Sequence, residues 1–306
     1  MRHTRLLGSC SLFIAAGCWG GTYVASKYAL EYVGPFTLVL TRYALASLIF
    51  VPLMLLRGPD RRARGNLRLI VITSAIGLAL SSWAQFFGTA LSTAHAGALI
   101  TSSAPAFMVI FAAIVLGERV TPQKVVALVV ASAGVVTVVG PGDIGAGPGA
   151  VFGDVLLVIA GITWAFYSVL IRKLTLRIAN VTVTGYVTVV GAGLGLPLGI
   201  PDLVRTGVPN LTVWLSILYI GIVSTALAYY LWNKGLELME AGNASIFFFA
   251  QPLTGTFFSW LLLGERLNTG FFIGGALILA GVAISSLRLP AGEAVAARPI
   301  ERTAGG

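Results

Sequence analysis

The chain has 306 residues, 57% of them hydrophobic and 10% charged, with a formal net charge of +9 and a mean hydropathy of +0.91. A soluble domain carries about 25% charged residues, so charges this sparse cannot cover a 32.0 kDa globule in water. An ordinary soluble enzyme, a disordered chain and a secreted disulfide scaffold are excluded, and the chain belongs in a bilayer.

A helix needs about 20 mostly apolar residues to cross the hydrocarbon. Ten segments qualify: 8–30, 36–56, 68–91, 95–116, 123–140, 152–171, 182–201, 212–234, 243–263 and 271–288. At the start, Arg2 and Arg5 ahead of Leu6–Gly17 look like a signal peptide, but the apolar run continues past Cys18 to Ala29. It reads as an uncleaved first span. Cys10 and Cys18 share that span, about 12 Å apart along a helix, and cannot pair. After the second span, Arg57, Arg61, Arg62, Arg64 and Arg68 crowd one short loop. Such a cluster holds a loop on the cytoplasmic side, and with no soluble basic domain present no nucleic-acid partner is expected. Thr121-Pro122 starts the fifth span and Asn268-Thr269 the tenth, with Pro in a first turn where its missing N–H costs nothing. Gly140-Pro141-Gly142-Asp143-Ile144-Gly145 has the G-x-G-x-x-G spacing; it follows an apolar helix and opens no βαβ unit, so it marks no nucleotide site. The tail from Leu289 to Gly306 is rich in Ala, Gly and Arg and is expected to be disordered.

With the N-terminus inside, sixteen Lys and Arg fall at inside positions and only Arg205 and Arg266 outside, with Lys27 and Arg42 within spans. The positive-inside rule then places both termini in the cytoplasm, as for a multi-pass protein of the cell (inner) membrane.

The chain also repeats itself. At a shift of 147, Leu116-Gly117-Glu118-Arg119 falls on Leu263-Gly264-Glu265-Arg266 and Pro105 on Pro252, with 14 identities in 57 positions between residues 79 and 135. Trp19 meets Trp164 at a shift of 145. The expected organisation is therefore an all-α membrane protein of ten transmembrane helices in two five-helix repeats, 1–150 and 151–288, with 289–306 as a cytoplasmic tail. Five is odd, so the second repeat is inverted in the membrane. Inverted repeats of this kind hold substrate near the midplane between the halves.

The ten spans, the duplication and the paired Leu-Gly-Glu-Arg signatures resemble the drug/metabolite transporter superfamily, specifically its EamA-type permeases. Trp19-Gly20-Gly21-Thr22-Tyr23, Thr41-Arg42-Tyr43 and Tyr230-Leu231-Trp232-Asn233-Lys234 are similar to that family as well. The resemblance implies a central cavity lined by helices 1, 3, 4, 6, 8 and 9, and export of amino acids, other metabolites or drugs.

Uncharged polar and aromatic residues on those helices are the candidates for substrate binding: Trp19, Tyr23, Trp83, Gln85, Thr101, Ser102, Trp164, Tyr167, Tyr230, Asn233 and Gln251. Gln85 and Asn233 would orient polar groups while the aromatics shape the pocket. Pro105 and Pro252 sit at equivalent mid-span positions and are candidate hinges, together with Gly20 and Gly21. Arg42 either binds a carboxylate or pairs with Glu31 or a carbonyl at the outer surface, the second being the expectation here. No acidic residue occupies a span centre, so the usual carboxylate proton relay is missing and His95 is left as a titrating candidate. Glu118-Arg119 and Glu265-Arg266 read as turn and capping salt bridges. No ATP-binding, metal or thiol motif is present, so neither an enzyme nor a cofactor is expected. The expected partners are a small-molecule substrate and membrane lipid, the chain acting as a monomer or homodimer. A passive channel and an integral-membrane enzyme are the alternatives.

Overall fold

Backbone amides and carbonyls in hydrocarbon must bond within their own segment or within protein. In the computed structural model the described residues (2–58, 60–92, 94–139, 149–205, 210–263 and 269–286) accordingly form helices and contain no strand. The helices are α1 (Thr4–Ala29), α2 (Pro35–Arg57), α3 (Leu67–Leu91), α4 (Ala96–Leu116), α5 (Pro122–Val138), α6 (Ala150–Thr175), α7 (Asn180–Arg205), α8 (Leu211–Leu238), α9 (Ala250–Leu263) and α10 (Thr269–Ser285). Seven of them, α1–α4 and α6–α8, are long and apolar enough to cross a membrane; α5 and α10 are shorter apolar helices. The turn Ala241–Ala244 and the 3-10 segment Ser245–Phe249 lead into α9. Several helices outrun the apolar stretches that signal them. α6 continues to Thr175 because Arg172 and Lys173 form its last turn, where cations suit the free carbonyls. The tail 289–306, Glu265-Arg266, Gly140–Gly145 and the His95 side chain lie outside what is described.

Local chemistry sets the ends. Pro35 opens α2 in its first turn, and the Asn210 side chain accepts the Val213 amide to cap α8 at 2.9 Å. Gly117 closes α4 at φ +68°, a left-handed geometry that glycine adopts without strain. That is the physical content of the glycine in Leu-Gly-Glu-Arg.

The packing exchanges partners between the halves. α1 packs on α8 and α9, α6 packs on α3 and α4, α2 lies along α7, and α5 along α10. Swapping each helix for the one five later returns the same set of pairs. Direction can be read as well. Gly8 and Ser9, early in α1, meet Met239 past the end of α8. Some 18 residues on, about 27 Å along a helix, Lys27 Nζ donates to the carbonyls of Thr89 (3.1 Å) and Ser92 (2.9 Å) at the end of α3. α6 runs the other way: Gly153 abuts Gly88 and Ser92, and Arg172 donates to the carbonyls of Leu236 (2.6 Å) and Met239 at the end of α8. Lys27 and Arg172 are 145 apart, as Trp19 and Trp164 are, and their carbonyl partners are 147 apart.

Helical irregularities recur at matched places too. π-helical segments occupy Ala75–Leu80 in α3 and Tyr219–Leu227 in α8, ending at positions related by the shift of 147. α4 is interrupted at Ser102-Ser103, and Pro105 stands in the first helical turn beyond that break. Pro252 likewise stands in the first turn of α9, after the 3-10 segment. α1 breaks at Gly21.

The α5–α10 contact is made by glycines. A Cβ on Gly134 would stand 2.7 Å from the Gly274 carbonyl, and one on Gly281 would stand 2.8 Å from that of Ala127. Gly193 on α7 faces open space. Gly134→Ala is therefore expected to destabilise the protein by about 1–3 kcal/mol through overpacking. Gly193→Ala should be neutral or stabilising because it gains helix propensity. Thermal unfolding of the two purified variants in detergent checks the contrast.

Candidate functional site

A narrow cavity of about 40 Å³ opens among the helices of both halves, tighter than the about 300–1,000 Å³ usual for small-molecule sites, so an organic ligand enters it only as the walls part. Trp19, Thr22 and Tyr23 of α1, Arg42 of α2, Ser81 and Gln85 of α3, and Thr101 and Ala104 of α4 form one side. Ala160, Gly161 and Trp164 of α6, Tyr229 of α8, Phe248 and Gln251 form the other. At its base Trp19 and Trp164, equivalent in the repeat, meet edge to face at 5.1 Å. Tyr229 stands 5.9 Å from the first ring and 5.3 Å from the second, and Phe248 is 5.9 Å from Trp19. Such ring pairs stabilise by about 0.5–1.5 kcal/mol beyond their area.

The π segment of α8 supplies polar groups to this site. π-helical turns break the regular ladder and leave carbonyls to be satisfied elsewhere. The Trp19 Nε1–H donates to the Ser224 carbonyl at 2.8 Å, and the Ser224 hydroxyl bonds Thr22 at 2.6 Å. Thr225 donates to the Ile220 carbonyl and accepts from Arg42 Nε at 2.8 Å. On the opposite wall, Tyr23 bonds Thr101 at 2.6 Å, and Thr101 reaches the Gly97 carbonyl. Ser81 donates across to the Ala160 carbonyl of α6 at 3.0 Å. Two buried polar atoms in the lining residues find no partner, Trp164 Nε1 and Gln251 Oε1.

Of the residues singled out from sequence, Trp19, Tyr23, Gln85, Thr101, Trp164 and Gln251 come together here. Trp83, Ser102, Tyr167, Tyr230 and Asn233 stand elsewhere. Trp83 packs edge to face on Phe36. Ser102 turns back to the Ala98 carbonyl. Tyr167 stacks behind Trp164 at 4.9 Å and presses on Gly77. Tyr230 packs with Phe50 and Ala226, and its neighbour Tyr229 takes the cavity position. Asn233 is fully buried and donates to Thr184, which bonds Asn180, tying α8 to α7. Of the candidate hinges, Gly20 admits α9, since a Cβ there would stand 2.6 Å from the Gly255 amide nitrogen, and Gly21 lies under the Tyr219 ring.

Arg42 corrects the expectation of an outer-surface pair. It is 3% exposed, and its carbon Cζ lies 5.2, 5.3 and 5.6 Å from the ring centres of Tyr43, Phe86 and Tyr229. Its place near the start of an apolar run suggested the surface. About 10 Å of helix, and α8 packed across it, bring it to the cavity instead.

A second cluster lies at the end of the bundle where α1 begins, beside Arg5, Leu6 and Ser9. Glu118 pairs with Arg172 at 3.1 Å and Lys124 at 3.8 Å, and accepts the amides of Ala241 (2.7 Å) and Gly242 (2.9 Å). Lys124 also pairs with Glu240 at 2.8 Å. The Glu118 side chain is 8% exposed, and the cluster ties α4 and α5 to α6 and the segment before α9. These are the salt-bridge and capping contacts expected from its turn position. Removing one member of a buried pair strands the rest at a cost of about 3–5 kcal/mol. Glu118→Ala should therefore lose about that much stability, read as a large fall in the thermal midpoint of the detergent-purified protein.

Comparison with known proteins extends this picture. The model of the EamA-like transporter family matches the chain twice, over residues 6–140 and 151–287. An uncharacterized transporter of Archaeoglobus fulgidus is 28% identical over 87% of this chain and 94% of its own. A probable terminal-alkyne amino-acid exporter of Streptantibioticus cattleyicolor is 24% identical over 91% of this chain and 93% of its own. A solved crystal structure superposes with a TM-score of 0.77 at 23% identity, over 93% of this chain and 98% of its own, and so shares the fold.

Proposed function

The chain belongs to the EamA-like transporter family, and from that premise we propose that it is a secondary transporter working by alternating access between two inverted five-helix halves. Family and relatives are transporters rather than enzymes, and the apolar helices make it a multi-pass membrane protein. The cargo in this reading is a small organic metabolite, an amino acid or drug-like compound, moved outward. The name of the Streptantibioticus relative supports that class and direction. All ten helices cross the cell (inner) membrane with both termini in the cytoplasm, and the protein acts as a monomer or homodimer.

The observation that carries the proposal is the opposite run of α1 and α6 between the ends of α3 and α8, with Trp19 and Trp164 meeting 5.1 Å apart where the halves join. A cavity built on such a seam can open to one side and then the other as the halves exchange conformations. The ion-pair cluster of Glu118 lies at one end and has to part for release on that side. Gly20, Gly21, Pro105 and Pro252 are the hinges of this motion, standing at breaks or first turns where the helical ladder is already open.

Counterflow in proteoliposomes tests the proposal, with vesicles preloaded with a panel of amino acids and other small metabolites. The expected result is saturable exchange of at least one compound, reduced about tenfold or more in Trp164→Ala and Gln251→Ala. Flux that rises linearly without counterflow would indicate a channel. A new product would indicate an enzyme. No exchange by folded protein, with or without an imposed pH gradient, would overturn the reading.

A further inference from the structure

Arg42 is a buried cation whose position needs an explanation. Among the described residues no carboxylate lies within ion-pair distance of it, and its hydrogen bond to Thr225 uses Nε, leaving the two terminal nitrogens of the fork without a protein partner. The three rings around it attract a cation but do not neutralise it. A charge buried in the membrane interior is costly unless paired or wet. It is the only charged side chain among those lining the cavity, which also carries the unpartnered Trp164 Nε1–H and the unpartnered Gln251 Oε1. Gln251 is itself 5% exposed.

The duplication sharpens the point. At the repeat shift, Thr101 falls on Phe248 and Gln85 on Trp232. The frame is symmetric, but one wall is polar and carries the cation while the other is mostly aromatic or small.

We propose that the ligand is a small organic monocarboxylate with an apolar body, its carboxylate serving as the missing counter-ion of Arg42. The planar fork suits a planar carboxylate. A dianionic phosphate would bring a second charge to a cavity with one cation. Gln251 Oε1 accepts a donor on the same ligand, and the body lies against Trp164, Tyr229 and Phe248. The inference rests on the transport reading for its cargo, while binding is measured separately.

The test is ligand-dependent thermal stability of the full chain in detergent. The probes are phenylacetate and phenylalanine, each compared with its amide, phenylacetamide and phenylalaninamide. At least one acid should stabilise saturably, with its amide about tenfold weaker or inactive. Arg42→Gln should abolish the acid–amide difference, and Arg42→Lys should keep a weakened preference. The wild-type comparison stands even where Arg42→Gln does not fold. Equal effects of acid and amide, no stabilisation by either acid up to about 50 mM, or an intact preference in Arg42→Gln would overturn the proposal. A protein that exchanges amides as readily as acids fails this inference and keeps the transport reading. One that binds acids but exchanges nothing does the reverse.

Discussion

Hydrocarbon offers no hydrogen bonds, so every polar group the chain carries into the bilayer must be satisfied by the chain itself or by something it binds. Most are settled locally. Threonines and serines such as Thr73, Ser74, Thr184 and Thr188 bond within their own helices. Irregular backbone is settled across helices, as where Trp19 donates to the Ser224 carbonyl within the π segment of α8. Some groups remain after that accounting, among them Trp83 Nε1, Tyr167 Oη and Asn233 Oδ1 away from the cavity. The free fork of Arg42, the Trp164 N–H and the Gln251 oxygen, by contrast, belong to a single cavity, where a ligand can meet them.

Duplication explains how such a cavity arises from simple parts. Paired helices, matched π segments and matched proline positions give the two halves the same scaffold. Lys27 and Arg172 hold the ends of α3 and α8 in the same way at opposite ends of α1. Ligand chemistry then requires departures from the symmetry, since a wholly symmetric lining would present two identical walls. Thr101 against Phe248 and Gln85 against Trp232 are such departures. Glycine contacts such as Gly134 with Gly274 and the Glu118 cluster fasten the bundle, while on the transport reading proposed above the walls are free to differ.

The sequence exposes the scaffold more fully than the cavity. Apolar runs locate the helices because a bilayer leaves so few alternatives, and the Leu-Gly-Glu-Arg pair reveals the repeat because Gly117 and Glu118 perform defined tasks at the end of α4. The aromatic pair Trp19 and Trp164 was legible through the repeat. Tyr229 was not, and the physical reason is local. The π segment ends at Leu227, two residues earlier, and its extra residue per turn rotates the helix face beyond it. Tyr230, singled out within Tyr230-Leu231-Trp232-Asn233-Lys234, packs on Phe50 and Ala226 instead. Arg42 escapes for another reason: linear distance from a helix end does not reveal that α8 lies across it. Asn233 looks like a ligand group until its amide is seen to donate to Thr184, on a different helix.

The central claim is that the two halves cross the membrane in opposite senses, and sidedness tests it most directly. Tyr32 and Leu176 are exposed residues just past the equivalent ends of α1 and α6. Each would be replaced singly by cysteine in a chain lacking Cys10 and Cys18, then treated with a membrane-impermeant maleimide. The account predicts that Tyr32→Cys is labelled in intact cells and Leu176→Cys only after permeabilisation. Labelling of both from the same side would contradict the inverted arrangement, and with it alternating access between the halves.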